Sequence, residues 1–266
     1  MEENKKVYKK NSIWAPNKLV PILFYILFFF VVSAVIIYLI AYIYSNINNV
    51  DYNTLKSSYT MKADTFKSLP KDILKANAIT QGISNLLVYS LCLIPVIFFT
   101  RDEFVKDIIK IKENKKFYLW FIPVAVVAFV GICYLVDLLF KNITPSSSEN
   151  QQQIENILTN GGLAPMLITT IFLAPLLEEL IFRKCIFSLC GKNRIVLAYI
   201  VSIILFVLPH MLSTSTDIGT WVLQCIPYVV AASLLATIYH LSGFNFYVGL
   251  FAHISNNILA IILVFI

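Results

Sequence analysis

Seven apolar runs, near residues 20–44, 82–100, 117–140, 163–182, 195–212, 218–239 and 246–266, dominate the chain. Each is about long enough to cross a hydrocarbon core of ~30 Å at 1.5 Å per residue. Inside a bilayer every backbone polar group must be satisfied within the protein, and runs of this length satisfy it as helices. The expected fold is therefore all-α: a polytopic transmembrane helical bundle of about seven to eight spans, with a polar cavity between the late helices. Composition agrees, because 58% hydrophobic and 14% charged residues and a mean hydropathy of +0.76 exclude an ordinary soluble domain.

The first run is about 25 residues, longer than a signal-peptide core, and no small-residue cleavage site follows it, so it reads as an uncleaved anchor. Trp14, Pro16 and Lys18 mark the interface before it. The five cysteines lie in or beside apolar spans rather than in the polar loops, which argues against a disulfide framework, and Cys185 and Cys190 do not share a helix face as a metal pair would. The net charge of +6 sorts by loop and calls for no nucleic acid. With a cytoplasmic N-terminus, Arg101, Lys106, Lys110, Lys112, Lys115 and Lys116 fall in one inner segment, and Arg183, Lys184, Lys192 and Arg194 in the next. The expectation is an integral protein of a bacterial plasma membrane.

Between the spans, residues 45–81 form a polar outer loop whose second half, Met61 to Thr80, carries an amphipathic pattern broken at Pro70. Segment 101–116 reads as a short cytoplasmic helix with lysines snorkelling to the headgroups. Residues 141–162, rich in Ser, Asn and Gln, read as an outer linker, and Asp137 as an acid reaching water one turn from the end of its span. His240 reads as an interfacial histidine without a catalytic task. Span four is expected to run on to Cys190, with the turn at Gly191-Lys-Asn193.

Span four places Glu178, Glu179 and Arg183 inside an otherwise lipid-compatible run. A charge at bilayer depth costs roughly 2.5–3.5 kcal/mol on insertion scales, so such a group is read as functional until shown otherwise. On a helix Glu179 and Arg183 are i and i+4 and pair, whereas Glu178 lies ~100° round from its neighbour. Glu178 is thus left on another surface without a local counter-charge, a setting that suits proton transfer. A helix-end ion pair with one snorkelling acid is the structural alternative.

Two later helices carry matching polar clusters. Phe206 and His210 share a face of span five, with Pro209 opening the helix just before the histidine, and His253 and Asn257 share a face of the last span. A turn centred near residue 192 sets position 178 opposite 206, with His210 about 6 Å further along. Depth raises a difficulty: counted from their inner loops, His253 is only about 15 Å deep and His210 about 27 Å. The two meet only if helices tilt or the break at 240–245 is re-entrant. A carboxylate, two imidazoles and an amide are what amide hydrolysis needs, a base for water and donors for a developing oxyanion.

The motifs E-E-x-x-x-R, F-x-x-x-H and H-x-x-x-N, here Glu178/Glu179/Arg183, Phe206/His210 and His253/Asn257, resemble those of the CPBP family of CAAX- and bacteriocin-processing intramembrane proteases, also called Abi. The resemblance covers roughly residues 163–260. It implies Glu178 as water-activating glutamate, His210 and His253 as its partners, Asn257 as oxyanion donor and Arg183 holding Glu179, around a water-filled cavity. It also implies a peptide or protein substrate at the bilayer, from prenylated C-termini to leader and pheromone peptides, and includes immunity and regulatory members. The chain accordingly divides into a region 1–162 of membrane spans and a catalytic core 163–266.

Three other readings compete. Glu178, His210 and His253 are also a His₂Glu set of the kind that holds catalytic zinc, although no H-E-x-x-H is present; the expectation is no cofactor. A proton-coupled transporter would use the same groups as a relay, against the weak internal repetition. A non-proteolytic scaffold, an immunity protein or a sensor-regulating protein, would keep the site without using it.

Overall fold

The computed structural model describes residues 16–61, 65–66, 68–140, 143, 148–212 and 217–266, with Pro16 and Lys192 as backbone only. The described residues are helical, with no strand among them. Along the chain they form α1 Leu19–Asn48, α2 Tyr52–Ser58, α3 Lys71–Glu113, α4 Lys115–Phe140 and α5 Glu149–Thr159. Then follow α6 Leu163–Cys190, α7 Ile195–Met211, α8 Ile218–Leu241 and α9 Phe246–Val264. Six of them, α1, α3, α4, α6, α8 and α9, are long and apolar enough to cross a membrane, and α7 is a shorter apolar helix of 17 residues. Trp14 and the basic arm before it lie outside the described residues, as does most of the linker 141–147.

The alternating helices give the bundle two ends. One carries residues 16–18, the junction of α3 and α4, the turn 191–194 and the turn 242–245; the other carries α2, α5 and the start of α3. Of the basic residues predicted to face the cytoplasm, Lys110, Lys112, Lys115, Lys116 and Arg194 lie at the first end, whereas Arg183 and Lys184 are buried inside the bundle.

Three stretches differ from the sequence-based expectation. Pro70 does not break a helix but precedes one: it sits extended at the N-cap of α3, which continues 43 residues without interruption, about 64 Å at 1.5 Å per residue. The expected span two and the expected separate helix 101–116 are therefore one rod, and the outer loop shrinks to the stretch between α1 and α3. The rod ends at Asn114, and α4 starts at once at Lys115. The linker before α6 is partly helical as well. Ser148 caps α5 by accepting from the Gln151 N–H at 3.3 Å, and Ile157 and Leu158 bury themselves against Met166 and Ile261. Gly162 then lets the chain turn against α3 so closely that a Cβ there would strike the Ala78 carbonyl and Ile157.

The main core joins α1, α3, α6, α7 and α8 through Tyr25, Val96, Leu177, Phe182, Phe206, Ala232, Ala236 and Tyr239. Ala232 and Ala236 stand one turn apart on α8, and such small residues allow neighbouring helices to approach closely. The close approach is used by Arg183, whose Nη2 donates to the Ala232 carbonyl at 3.4 Å.

Candidate active site

Helix α6 is not a regular α-helix where it carries its charges. Wide i→i+5 turns occupy Thr169–Leu173 and Glu179–Cys185, with a short α-helical piece, Ala174–Glu178, between them. The two neighbouring carboxylates leave the helix into different surroundings. Glu178, 5% exposed, lines a cavity of about 870 Å³. Glu179, 0% exposed, lies away from that lining with its Oε1 3.5 Å from Arg183 Nη1. Arg183 is itself fully buried, its guanidinium 4.8 Å from the centre of the Phe206 ring.

His253 on α9 faces both acids. Its Nε2 is 3.8 Å from Glu178 Oε2 and its Nδ1 is 3.4 Å from Glu179 Oε1. The approach of α9 depends on Gly249, four residues before the histidine, where a Cβ would lie 2.6 Å from Glu179 Oε2. His210 turns its Nδ1 back to the Phe206 carbonyl at 2.8 Å; a carbonyl only accepts, so Nδ1 carries the proton and Nε2 is the free lone pair of the neutral ring. The ring stacks on Phe206 at 5.0 Å and 22°, and lies 4.8 Å from Tyr228 on its other flank. Asn257 donates from Nδ2 to the Thr170 carbonyl at 2.8 Å, inside the first wide turn of α6. The second N–H of that amide is left for another acceptor.

Glu178, Phe206, His210, His253 and Asn257 all line the one cavity. It is not confined to the late helices: Tyr25, Phe29, Gln81, Asn85, Tyr89 and Asp137 from α1, α3 and α4 line it too. Asp137 is exposed, and it stands at the cavity rather than apart from it. His240 is exposed, with Nδ1 3.2 Å from the Tyr199 hydroxyl, and is not among the residues that line the cavity.

The depth difficulty resolves at the inner turn between α8 and α9. Asp107, fully buried, accepts from Lys184 Nζ at 2.6 Å, from Lys110 Nζ at 2.9 Å and from the Phe246 backbone N–H at 3.0 Å, while its own carbonyl accepts from Asn245 Nδ2. Lys184 also donates to the Phe244 carbonyl at 3.0 Å, and Glu103 lies 3.7 Å from it. Lys184 is thus a buried tie and not part of a cytoplasmic loop, and Lys110 reaches the carbonyls of Gly243 and Phe244 instead of snorkelling. These ties draw the start of α9 level with Lys184, well inside the turn at Gly191. His253 is seven residues on from Phe246, and Glu178 six residues back from Lys184, so the two arrive side by side. Sequence reasoning missed this ionic group, although Glu103, Asp107 and Lys110 already share a face at i, i+4 and i+7.

Among the described residues no group of three or more His, Cys, Asp or Glu side chains has a metal-holding arrangement. The Nδ1 of His210 is committed to a carbonyl, and the two nitrogens of His253 face carboxylates on opposite sides. The cysteines are free thiols.

Five of the seven motif residues therefore line one cavity, and Glu179 and Arg183 stand behind His253 and Phe206. Residues 160–259 match the Rce1-like family, described as type II CAAX prenyl endopeptidase. The Rce1-like segment holds all seven, from Glu178 to Asn257, and begins just before α6. An uncharacterized protein of Mycoplasma capricolum subsp. capricolum is 29% identical over 195 residues, which cover 68% of this chain and 56% of that protein. The chain thus spans little more than half the length of that relative. No solved structure matches the chain.

Proposed function

We propose that this chain is an intramembrane endopeptidase that hydrolyses a peptide bond of a membrane-associated peptide or protein with a glutamate-activated water. The observation that carries the reading is a buried carboxylate, Glu178, lining a cavity together with His210, His253 and Asn257, with His253 Nε2 3.8 Å away. Glu178 takes a proton from water as the oxygen adds to the scissile carbonyl carbon. The second Asn257 N–H is the donor for the oxyanion, joined by His210 Nε2 when that ring carries a second proton. The C–N bond then breaks, and the proton held by Glu178 passes to the leaving amine. Glu179 and Arg183 act behind His253: the carboxylate orients its Nδ1, and the guanidinium balances the carboxylate.

The Rce1-like match supports a CAAX-type protease at the level of the family, and the donor array around Glu178 favours a glutamic over a metal-dependent reaction. A cytoplasmic N-terminus in a bacterial plasma membrane is part of the proposal, an orientation that the basic end of the bundle supports. The test is mass spectrometry of membrane and secreted peptides from cells with the intact chain and with Glu178→Ala. A peptide terminus present only with the intact residue is expected. Identical peptides in both, with the cellular phenotype kept by Glu178→Ala, would make the chain a scaffold.

A further inference from the structure

His210 stands in a slot between two rings. Phe206, one turn back on α7, stacks on it at 5.0 Å and 22°, and Tyr228 of α8 covers its other flank at 4.8 Å and 38°. The bond from Nδ1–H to the Phe206 carbonyl leaves Nε2 as the free nitrogen, but the outer torsion of a histidine is broad and two-fold. A half-turn of the ring would break that bond and exchange Nε2 for a carbon. The two flanking rings oppose the turn, because the imidazole would have to stand edge-on to both of them on the way. Tyr228 is itself held from two sides. It packs against Val207, Met211 and Cys225, while its hydroxyl shares a hydrogen bond with the Ser148 hydroxyl at 2.7 Å and accepts from Asn150 Nδ2 at 3.4 Å. Ser148 is the buried N-cap of α5, the helix that lines the outer part of the cavity. Tyr228 belongs to none of the three motifs.

We propose, resting on the protease reading above, that Tyr228 is a positioning residue for hydrolysis: its ring keeps His210 aligned with Nε2 available to the scissile carbonyl, and α5 keeps Tyr228 in place. Nε2 is needed once charge develops on the carbonyl oxygen, so the contact acts on turnover more than on substrate binding.

The experiment compares Tyr228→Leu, Tyr228→Phe and Ser148→Ala in the full chain in one detergent. It reads kcat and KM with a prenylated CAAX peptide carrying a fluorophore and a quencher, and the ¹⁵N spectrum of the histidine rings. The chain has three histidines, so the rings give few signals, and His240→Gln identifies the exposed one. Tyr228→Leu is expected to lower kcat by about 10–100-fold with KM changed by no more than about threefold, as for a misplaced catalytic group. Its His210 signals should pass from the Nδ1–H tautomer to an average of the two. Tyr228→Phe keeps the ring and should hold kcat within about threefold of the unaltered chain, and Ser148→Ala, which cuts the same hydrogen bond from the other side, should match it. Should Tyr228→Leu fail to fold, Tyr228→Met fills the space without a ring and decides in its place. A loss in Tyr228→Phe equal to that in Tyr228→Leu, or a Tyr228→Leu chain with unchanged kcat and unchanged tautomer, overturns the proposal. A tautomer that depends on the ring in a chain that cleaves no peptide would keep the positioning of His210 and remove the protease reading, whereas cleavage indifferent to the ring would do the reverse.

Discussion

A Cβ on Gly249 would lie 2.6 Å from Oε2 of Glu179, closer than any real contact of that kind, so the backbone of α9 is fitted against the carboxylate that faces His253. Gly249→Ala must push that carboxylate, and it cannot swing into solvent because it is fully buried against Arg183. Overpacking of this kind costs about 1–3 kcal/mol. A lowered melting temperature and at least a tenfold loss of cleavage are expected. The control is Gly131→Ala on α4, where an added Cβ meets nothing within 4 Å and where both measurements should stay near those of the unaltered chain.

The inner ionic group sets the register of α9, so it should control both stability and activity. Lys184→Met leaves the buried Asp107 charge with Lys110 and the Phe246 N–H alone, and breaking a buried pair costs about 3–5 kcal/mol. The variant is expected to melt well below the unaltered chain and to lose cleavage through displacement of His253. Lys106→Met removes only an exposed ion to Glu103 and should change melting by no more than about 1 kcal/mol. Equal behaviour of the two variants would show that the buried ties do not position α9.

Much of this architecture could be read from the residues. The Glu178/Glu179 difference follows from the angular step of a helix and survives the wide turn that begins at Glu179, because the two side chains still leave into different surroundings. The convergence of three motifs on one cavity was legible as chemistry, since buried groups of these types need one another. What spacing could not give was depth. The level of His253 depends on Asp107 and Lys184 meeting across 77 residues of sequence, and a charge pattern does not say which of several lysines will be buried. Helix α5 was hidden for another reason: its amides dilute the apolar signal, and only Ser148 and the Ile154, Ile157, Leu158 face betray it.

Metal dependence separates two chemistries for one set of residues. The purified chain is expected to keep its cleavage activity after chelation and dialysis, and elemental analysis to find less than stoichiometric zinc. Loss on chelation with recovery on adding zinc would transfer Glu178, His210 and His253 to a ligand set, in which His210 would bind through Nε2 while its Nδ1–H stays on the Phe206 carbonyl.

Orientation can be read with introduced cysteines after Cys190, the one native thiol that is not buried, is replaced by serine. Asn53 in α2 and Asn114 between α3 and α4 are both exposed and lie at opposite ends of the bundle. An impermeant maleimide on intact cells should label Asn53→Cys and spare Asn114→Cys until the membrane is opened. The reverse pattern would invert the assignment drawn from the basic end and would put the α5 end of the cavity in the cytoplasm.

The two glutamates give the sharpest division of roles. Glu178→Gln removes the group proposed to take the proton of water while keeping the shape of the side chain, and loss of a general base lowers rate by about 10²–10⁴-fold. Because Glu178 makes no ion pair with Arg183, this variant should be as abundant and as heat-stable as the unaltered chain. Glu179→Gln leaves Arg183 fully buried with its charge uncompensated, since the remaining contacts are the Ala232 carbonyl and the Phe206 ring. Destabilisation of about 3–5 kcal/mol is expected, with partial activity in the molecules that fold. Cleavage per folded molecule, compared for both variants in the same detergent, decides the matter. A stable, inactive Glu179→Gln beside an active Glu178→Gln would exchange the roles, and His253, which stands 3.4 Å from one carboxylate and 3.8 Å from the other, would then serve the buried one.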